Sequence, residues 1–222
     1  YSHIPWEKGN MRLRREYDVK GGTDYKIMGE EFLHAVPYAL MAERSQPNYL
    51  LDVNGQFIPT VVLDTLEWMA ANLSVTHYND GRGIGASDVF TYDGDELNVP
   101  VVGRLYSWHA VGSGQLCPVG WRVPSKEEWM TLLEGNATST LRVPEPAWEE
   151  HANNQSGLSI KAGGLTDGSG NYSGKGILGY YWTGTVFGGN NAWSISFNPG
   201  AFNPLIEESY DQTYGMSVRC VR

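Results

Sequence analysis

Few residues in this chain could do chemistry, and their spacing narrows what they could do. Two cysteines, Cys117 and Cys220, stand far apart, the second close to the end in Tyr214-Gly215-Met216-Ser217-Val218-Arg219-Cys220-Val221-Arg222. A disulfide between them would close a loop of about 100 residues and stabilise the fold by up to about 4.7 kcal/mol in the chain-entropy account. As free thiols both would be small buried apolar groups. Five histidines, His3, His34, His77, His109 and His151, show no mutual spacing of a metal site. They read as scattered surface residues or hydrogen-bonded core residues. Gly81-Arg82-Gly83-Ile84-Gly85 has the wrong spacing for a dinucleotide loop and no strand–helix context, so it reads as a flexible turn. Neither a Gly-x-Ser-x-Gly elbow nor a phosphate loop is present.

Two groups of acids could offer oxygen ligands to calcium, which takes about 6–8 of them. Glu207, Glu208 and Asp211 lie close in the last long loop, and Glu145, Glu149 and Glu150 in the middle one. Solvated loop acids are the plainer reading. No cofactor is expected, calcium being the one candidate.

Recognition chemistry is better supplied. In Ala192-Trp193-Ser194-Ile195-Ser196-Phe197-Asn198 the residues Trp193, Ile195 and Phe197 share one face, and Ser194, Ser196 and Asn198 the other. Period-two alternation predicts a half-buried strand with an open polar face. Gly188-Gly189-Asn190-Asn191 supplies the turn before it. Phe202 and Tyr210 fall in polar loops, where an amphipathic aromatic gives contact area at low entropic cost and Ser or Asn adds adaptable hydrogen bonds. The candidate ligand surface is therefore Asn190, Asn191, Ser194, Ser196, Asn198, Phe202, Asn203 and Tyr210. Trp182 and Trp193 are read as structural.

The elements that must hold this surface are short. Tyr17–Lys20 and Tyr25–Met28, joined through Gly21-Gly22, predict a hairpin. Phe32, Leu33, Val36, Leu40 and Met41 form a helical stripe over Glu30–Arg44, with Pro37 the better helix start. From residue 56 the chain turns β-rich and glycine-punctuated, with Phe57–Leu63 a strand. Trp68–Leu73 reads as a short buried turn of helix or strand, and Val101–Trp108 as a buried segment. Ser125, with Glu128 three residues on, is a capping box. It starts a helix that buries Trp129, Leu132 and Leu133 and stops at Gly135 with positive φ. Residues 136–178 read as a long polar functional or mobile loop. Tyr181–Thr185 and Met216–Val221 are expected beside the 192–198 strand.

The chain has 222 residues, 41% of them hydrophobic but only 18% charged, with a net charge of −9. That field repels a phosphate backbone and an anionic membrane, so nucleic acid is excluded as a partner. No apolar run approaches the roughly 20 residues of a membrane span. The chain opens at Tyr1 rather than Met, which reads as a trimmed product, so the missing signal peptide does not argue for the cytoplasm.

Several of these motifs occur together in one order: Trp68-Met69-Ala70-Ala71-Asn72-Leu73, Gly103-Arg104-Leu105-Tyr106-Ser107-Trp108, the Cys117–Trp129 run, Tyr181-Trp182-Thr183 with Asn191-Ala192-Trp193, and Tyr214–Arg222. In this the chain resembles the Fibrobacter succinogenes major paralogous domain family of secreted bacterial proteins, over roughly residues 55–222. The resemblance implies an α+β, C-type-lectin-like fold: a small twisted antiparallel sheet, two flanking helices and long loops. It also implies a Cys117–Cys220 disulfide joining the region before the second helix to the last strand.

The same fold resemblance extends to formylglycine-generating enzymes, which need a close pair of active cysteines that this chain lacks. It extends also to the variable proteins of diversity-generating retroelements, which display a hypervariable sheet face. In calcium-dependent lectins a Glu-Pro-Asn or Gln-Pro-Asp run holds the metal, and neither Glu145-Pro146-Ala147 nor Asn203-Pro204 matches it. Val36-Pro37-Tyr38-Ala39-Leu40-Met41-Ala42 resembles segments that precede repeat and fibre domains of exported bacterial and phage-tail-like proteins.

The expected organisation is residues 1–50 as the end of an upstream module and residues 51–222 as the C-type-lectin-like domain. The expected function is an exported, non-catalytic module that binds a protein or glycan ligand on another cell or surface. It would sit outside the cell or at its surface, lipid-anchored or on a phage particle. A retroelement-diversified binder, a pilus or fibre subunit and a formylglycine-generating-like enzyme are the rival readings.

Overall fold

The apolar run Phe57–Leu63 is a strand over its whole length. In the computed structural model it is β4 (Phe57–Leu63), paired antiparallel with β3 (Asn48–Leu51) and β5 (Leu66–Met69). Ile58 and Thr60, two residues apart, are its buried positions, as a pleated strand with one covered face requires. The structure describes residues 12–17, 26–32, 48–148, 152–199 and 205–222. The chain divides into two units, Tyr1–Pro47 and Asn48–Arg222.

In the first unit β1 (Arg12–Tyr17) pairs antiparallel with β2 (Lys26–Phe32), with a bulge between Arg15 and Glu16. β1 starts before, and β2 runs beyond, the segments expected to form a hairpin around Gly21-Gly22, while residues 18–25 with that turn lie outside the described residues. Glu30–Phe32, assigned from the sequence to a helical stripe, continue β2 instead. The register sets Arg14 opposite Glu30 and Arg12 opposite Phe32. The rest of the stripe, with the Pro37 helix start, lies outside the described residues.

The second unit is α+β, with small antiparallel sheets and few helices. After the β3–β4–β5 meander come α1 (Val99–Val102), α2 (Trp108–Gly112), α3 (Lys126–Gly135) and α4 (Thr138–Leu141). Two short ladders, β6 (Val89–Phe90) with β7 (Leu105–Tyr106) and β8 (Leu165–Thr166) with β9 (Tyr172–Ser173), are threaded among them. The largest later sheet is β10 (Gly179–Gly188), β11 (Asn191–Phe197) and β12 (Leu205–Asp211). The second neighbour of β11 is therefore β12, not the terminal segment.

The capping box forms as the spacing predicts. Ser125 Oγ accepts from Glu128 N at 3.2 Å, and Glu128 Oε2 accepts from Ser125 N at 2.8 Å. The helix end differs. Gly135 is the last helical residue and is not left-handed. Asn136 follows in an extended conformation and its Nδ2 donates to Leu132 O at 3.0 Å. A side-chain donor satisfies the terminal carbonyl, so no positive φ is needed.

Residues 136–178 are not a free loop either. Leu141, Trp148, Leu158, Ile160 and Ala162 are fully buried and share a core with Trp68, Trp129, Tyr181, Ile195 and Phe197. A second core gathers Met69, Leu73, Tyr106, Val111, Trp182, Ala192, Met216 and Val218.

The terminal segment runs between these cores. Met216, Val218 and Cys220 belong to one and Val221 to the other, so the alternation of Met216–Val221 faces two apolar layers. Its backbone is paired on both sides. Met69 N donates to Cys220 O (2.9 Å), Leu73 N to Val218 O (3.0 Å), Trp182 N to Ser217 O (3.1 Å) and Val221 N to Arg122 O (2.8 Å). A disulfide joins Cys117 to Cys220 across 103 residues, with both cysteines buried.

Candidate functional site

The expected open polar face of β11 is covered. Ser194 and Ser196 are 0% and 1% exposed. Ser194 lies opposite Trp182 and Ser196 opposite Tyr180 in the β10–β11 register, and directly opposite residues share a face. Trp182 is wholly buried in the core that includes Ala192, and Tyr180 packs on it. The serines are small because aromatic rings from the next strand fill that layer. They cannot touch a ligand from that side, which corrects their place in the candidate surface.

The remaining candidates divide. Asn190 is exposed at the hairpin tip, and its carbonyl accepts from Gln212 N at 2.8 Å. Asn191 is half-buried and lies opposite Asp211 in register. Tyr210 is half-buried between Tyr180 (5.9 Å) and Tyr214 (5.4 Å) in an edge-to-face and tilted stack. Asn198 is half-buried, and its carbonyl accepts from Arg142 Nη1 at 3.0 Å. Phe202 and Asn203 lie outside the described residues.

The structure adds a surface that the sequence reading missed. Past Gly184 the strand β10 leaves the core, and Val186 and Phe187 are 50% and 53% exposed. Phe187 packs edge-on against the half-buried Trp193, ring centroids 4.8 Å apart. Lys126 Nζ lies 3.6 Å above the Trp193 ring, a cation–π contact of about 0.5–1 kcal/mol at an exposed site.

The hairpin is anchored to the start of α3. Lys126 N donates to Thr185 Oγ1 at 3.0 Å and Gly184 N to Pro124 O at 2.8 Å. A Cβ at Gly184 would come within 3.1 Å of Val123 O, so glycine permits this close approach. The available signal was an apolar Val186-Phe187 pair directly before a Gly-Gly turn.

A second missed feature is a buried polar cluster. Arg219 is 0% exposed. Its Nε donates to Asn72 Oδ1 (2.8 Å), Nη1 to Met69 O and Leu158 O (2.7 Å each), and Nη2 to Ser159 O (2.5 Å). Tyr181 OH accepts from Lys161 N at 2.9 Å and lies 3.0 Å from Asn72 Oδ1. Asn72 Nδ2 donates to Val102 O at 2.7 Å and Ser217 Oγ at 3.2 Å. Burial lowers the Arg219 guanidinium pKa and raises that of the Tyr181 phenol. With its donors held by carbonyls and an amide, this cluster is built to position backbone.

Of the candidate calcium ligands, Asp211 accepts from Thr213 N (2.9 Å) and Oγ1 (2.7 Å), which lowers its pKa. Glu145 Oε2 accepts from Ala162 N at 3.2 Å. The side chains of Glu207 and Glu208, and all of Glu149, Glu150 and His151, lie outside the description. Among the described residues no three His, Cys, Asp or Glu gather as a metal would need, and no helix is long and apolar enough to cross a membrane.

No curated protein and no solved structure matches the chain. The model of the Fibrobacter succinogenes major domain matches residues 61–222, which take in the strands β5–β12, the capped helix and both cysteines. The chain belongs to the Fibrobacter succinogenes major domain family.

Proposed function

We propose that this chain is an exported ligand-binding module, built on a C-type-lectin-like frame and without catalytic activity. Its recognition surface is the free end of the β10–β11 hairpin, not the serine face of β11. The observation that carries this reading is the half-exposed pair Phe187 and Trp193, fixed by Lys126 and flanked by Val186 and Asn190. An exposed aromatic that is already immobilised loses little entropy on binding and offers area to a glycan ring or a protein side chain.

The buried disulfide supports export, because such bonds persist in oxidising compartments. The net charge of −9 supports a partner other than nucleic acid. The ligand is a protein or glycan on another cell or surface, and the Tyr1–Pro47 unit links the domain to an upstream module or fibre.

Glycan and protein arrays probed with the 222-residue chain test this. Capture should be lost in Phe187→Ser and Trp193→Ala variants whose melting temperature stays close to that of the parent. Arrays with no captured species, or capture unchanged by both substitutions, would refute the placement.

A further inference from the structure

A cleft of about 470 Å³ lies away from the hairpin in residue content, sharing none of its residues. Its walls include Val101, Pro144 and Pro146, its charged groups are Glu145, Lys161 and Lys175, and Asn98 adds an amide. The size falls within the roughly 300–1,000 Å³ of small-ligand sites, and so does the plan of apolar walls with a few converging polar groups.

The charge of the cleft is unusual for this chain. The protein is acidic overall, yet here two ammonium groups face one carboxylate. The Arg219 guanidinium, whose charge acts on Lys161, adds to the positive side from within the core. Burial lowers the Lys161 pKa and raises that of Glu145, so both groups are partly stripped of water.

The polar groups retain binding capacity. Lys161 Nζ donates to Val101 O at 2.5 Å, and Lys175 Nζ to Asn98 Oδ1 at 2.7 Å. Each ammonium thus donates one N–H inside the protein, and Lys175 Nζ also lies 5.1 Å from the Tyr92 ring centroid, which leaves further N–H groups for a ligand. Glu145 Oε2 accepts from Ala162 N at 3.2 Å, which leaves Oε1 to accept a hydroxyl. The neighbouring backbone is held in place: Trp148 Nε1 donates to Ile177 O at 2.9 Å and Gly176 N to Ala162 O at 2.8 Å.

We propose that this cleft binds a sugar acid of one or two residues. Its carboxylate meets the Lys161 and Lys175 ammoniums, a ring hydroxyl donates to Glu145, and the C–H face of the ring packs on Val101, Pro144 and Pro146. A doubly charged phosphate would set its second charge against Glu145, which a single carboxylate need not do. A neutral sugar would bring no charge to the two ammoniums.

Isothermal titration of the whole chain with glucuronate, glucose and acetate tests it. Glucuronate should bind, and glucose and acetate about tenfold more weakly or worse, since each lacks one half of the recognition. Lys175→Met, at an exposed position, should weaken glucuronate by about tenfold, with Lys161→Met at least as damaging. Phe187→Ser should change nothing, so this result is read separately from the hairpin surface. Silence with glucuronate at about 10 mM, equal affinity for glucose or acetate, or unaltered binding in Lys175→Met would each overturn the proposal.

Discussion

Replacing Arg219 by Met keeps the aliphatic stem and removes the guanidinium, and two large effects then oppose each other. The folded state carries a buried charge whose desolvation costs several kcal/mol, and Met abolishes that cost. Against it stand the acceptors the guanidinium holds. Met69 O and Leu158 O sit at 2.7 Å and Ser159 O at 2.5 Å. A buried acceptor stripped of its donor costs about 1–3 kcal/mol, so three carbonyls together cost roughly 3–9 kcal/mol. Asn72 Oδ1 suffers less, because Tyr181 OH lies 3.0 Å away.

The carbonyls belong to segments far apart in sequence, and Met cannot bridge them. The acceptor loss wins, leaving a net destabilisation of about 3 kcal/mol, a large share of the roughly 5–15 kcal/mol of a typical domain. Arg219→Lys should also be damaging, since one compact ammonium cannot reproduce the planar fork. Urea unfolding followed by tryptophan fluorescence measures both variants. A midpoint lowered at unchanged slope is the expected result. An Arg219→Met protein as stable as the parent, or more so, would show that desolvation of the charge dominates and would refute the reasoning.

Three further outcomes follow from the same contacts. Replacing both cysteines by Ala should lower the unfolding free energy by up to about 4.7 kcal/mol, the chain-entropy value for a bridge spanning 103 residues; a loss under about 1 kcal/mol would contradict it. Ser196→Glu should lower the melting temperature by about 10 °C or more, because an unpaired charge enters a wholly buried layer; an unchanged melting point would mean the face is wet after all. Glu128 has a pKa lowered first by its hydrogen bonds to Arg122, at 2.5 and 2.6 Å. A depressed carboxyl pKa contributes stability that is present above the unfolded value and lost as pH falls through the folded one. The stability gap between the parent and Glu128→Gln, which keeps the capping-box geometry, should therefore be full at pH 7 and close below about pH 4. A gap independent of pH would exclude the ion pair as its source.

Local signals in this chain were legible and non-local ones were not. The capping box at Ser125 involves residues three apart and forms as read. The helix ends at Gly135 as expected, but without the positive φ, because Asn136, one residue on, supplies a side-chain donor instead. The polar composition of residues 136–178 hid five fully buried core residues, since Gly and Ser between them set the texture. The Arg219 cluster joins groups 147 and 150 residues apart, and no window along the chain contains it.

The most instructive error is the face of β11. Its period of two was read correctly, because alternation is a property of the strand itself. Which face meets water is a property of whatever lies over it. Polarity alone points to Ser194 and Ser196 as the wet side, yet a small polar residue fits a covered face equally well when a neighbouring strand brings the volume. The sequence did hold a clue. Tyr180, Tyr181 and Trp182 are consecutive in β10, so the pleat must send aromatic rings to both faces of the sheet. Tyr181 enters one core with Ile195 and Phe197, and Trp182 the other with Ala192. A strand paired with such a neighbour is packed on both sides along the shared length. The paired hairpin opens to solvent only beyond the aromatic run, past Gly184, where Val186 and Phe187 of β10 emerge.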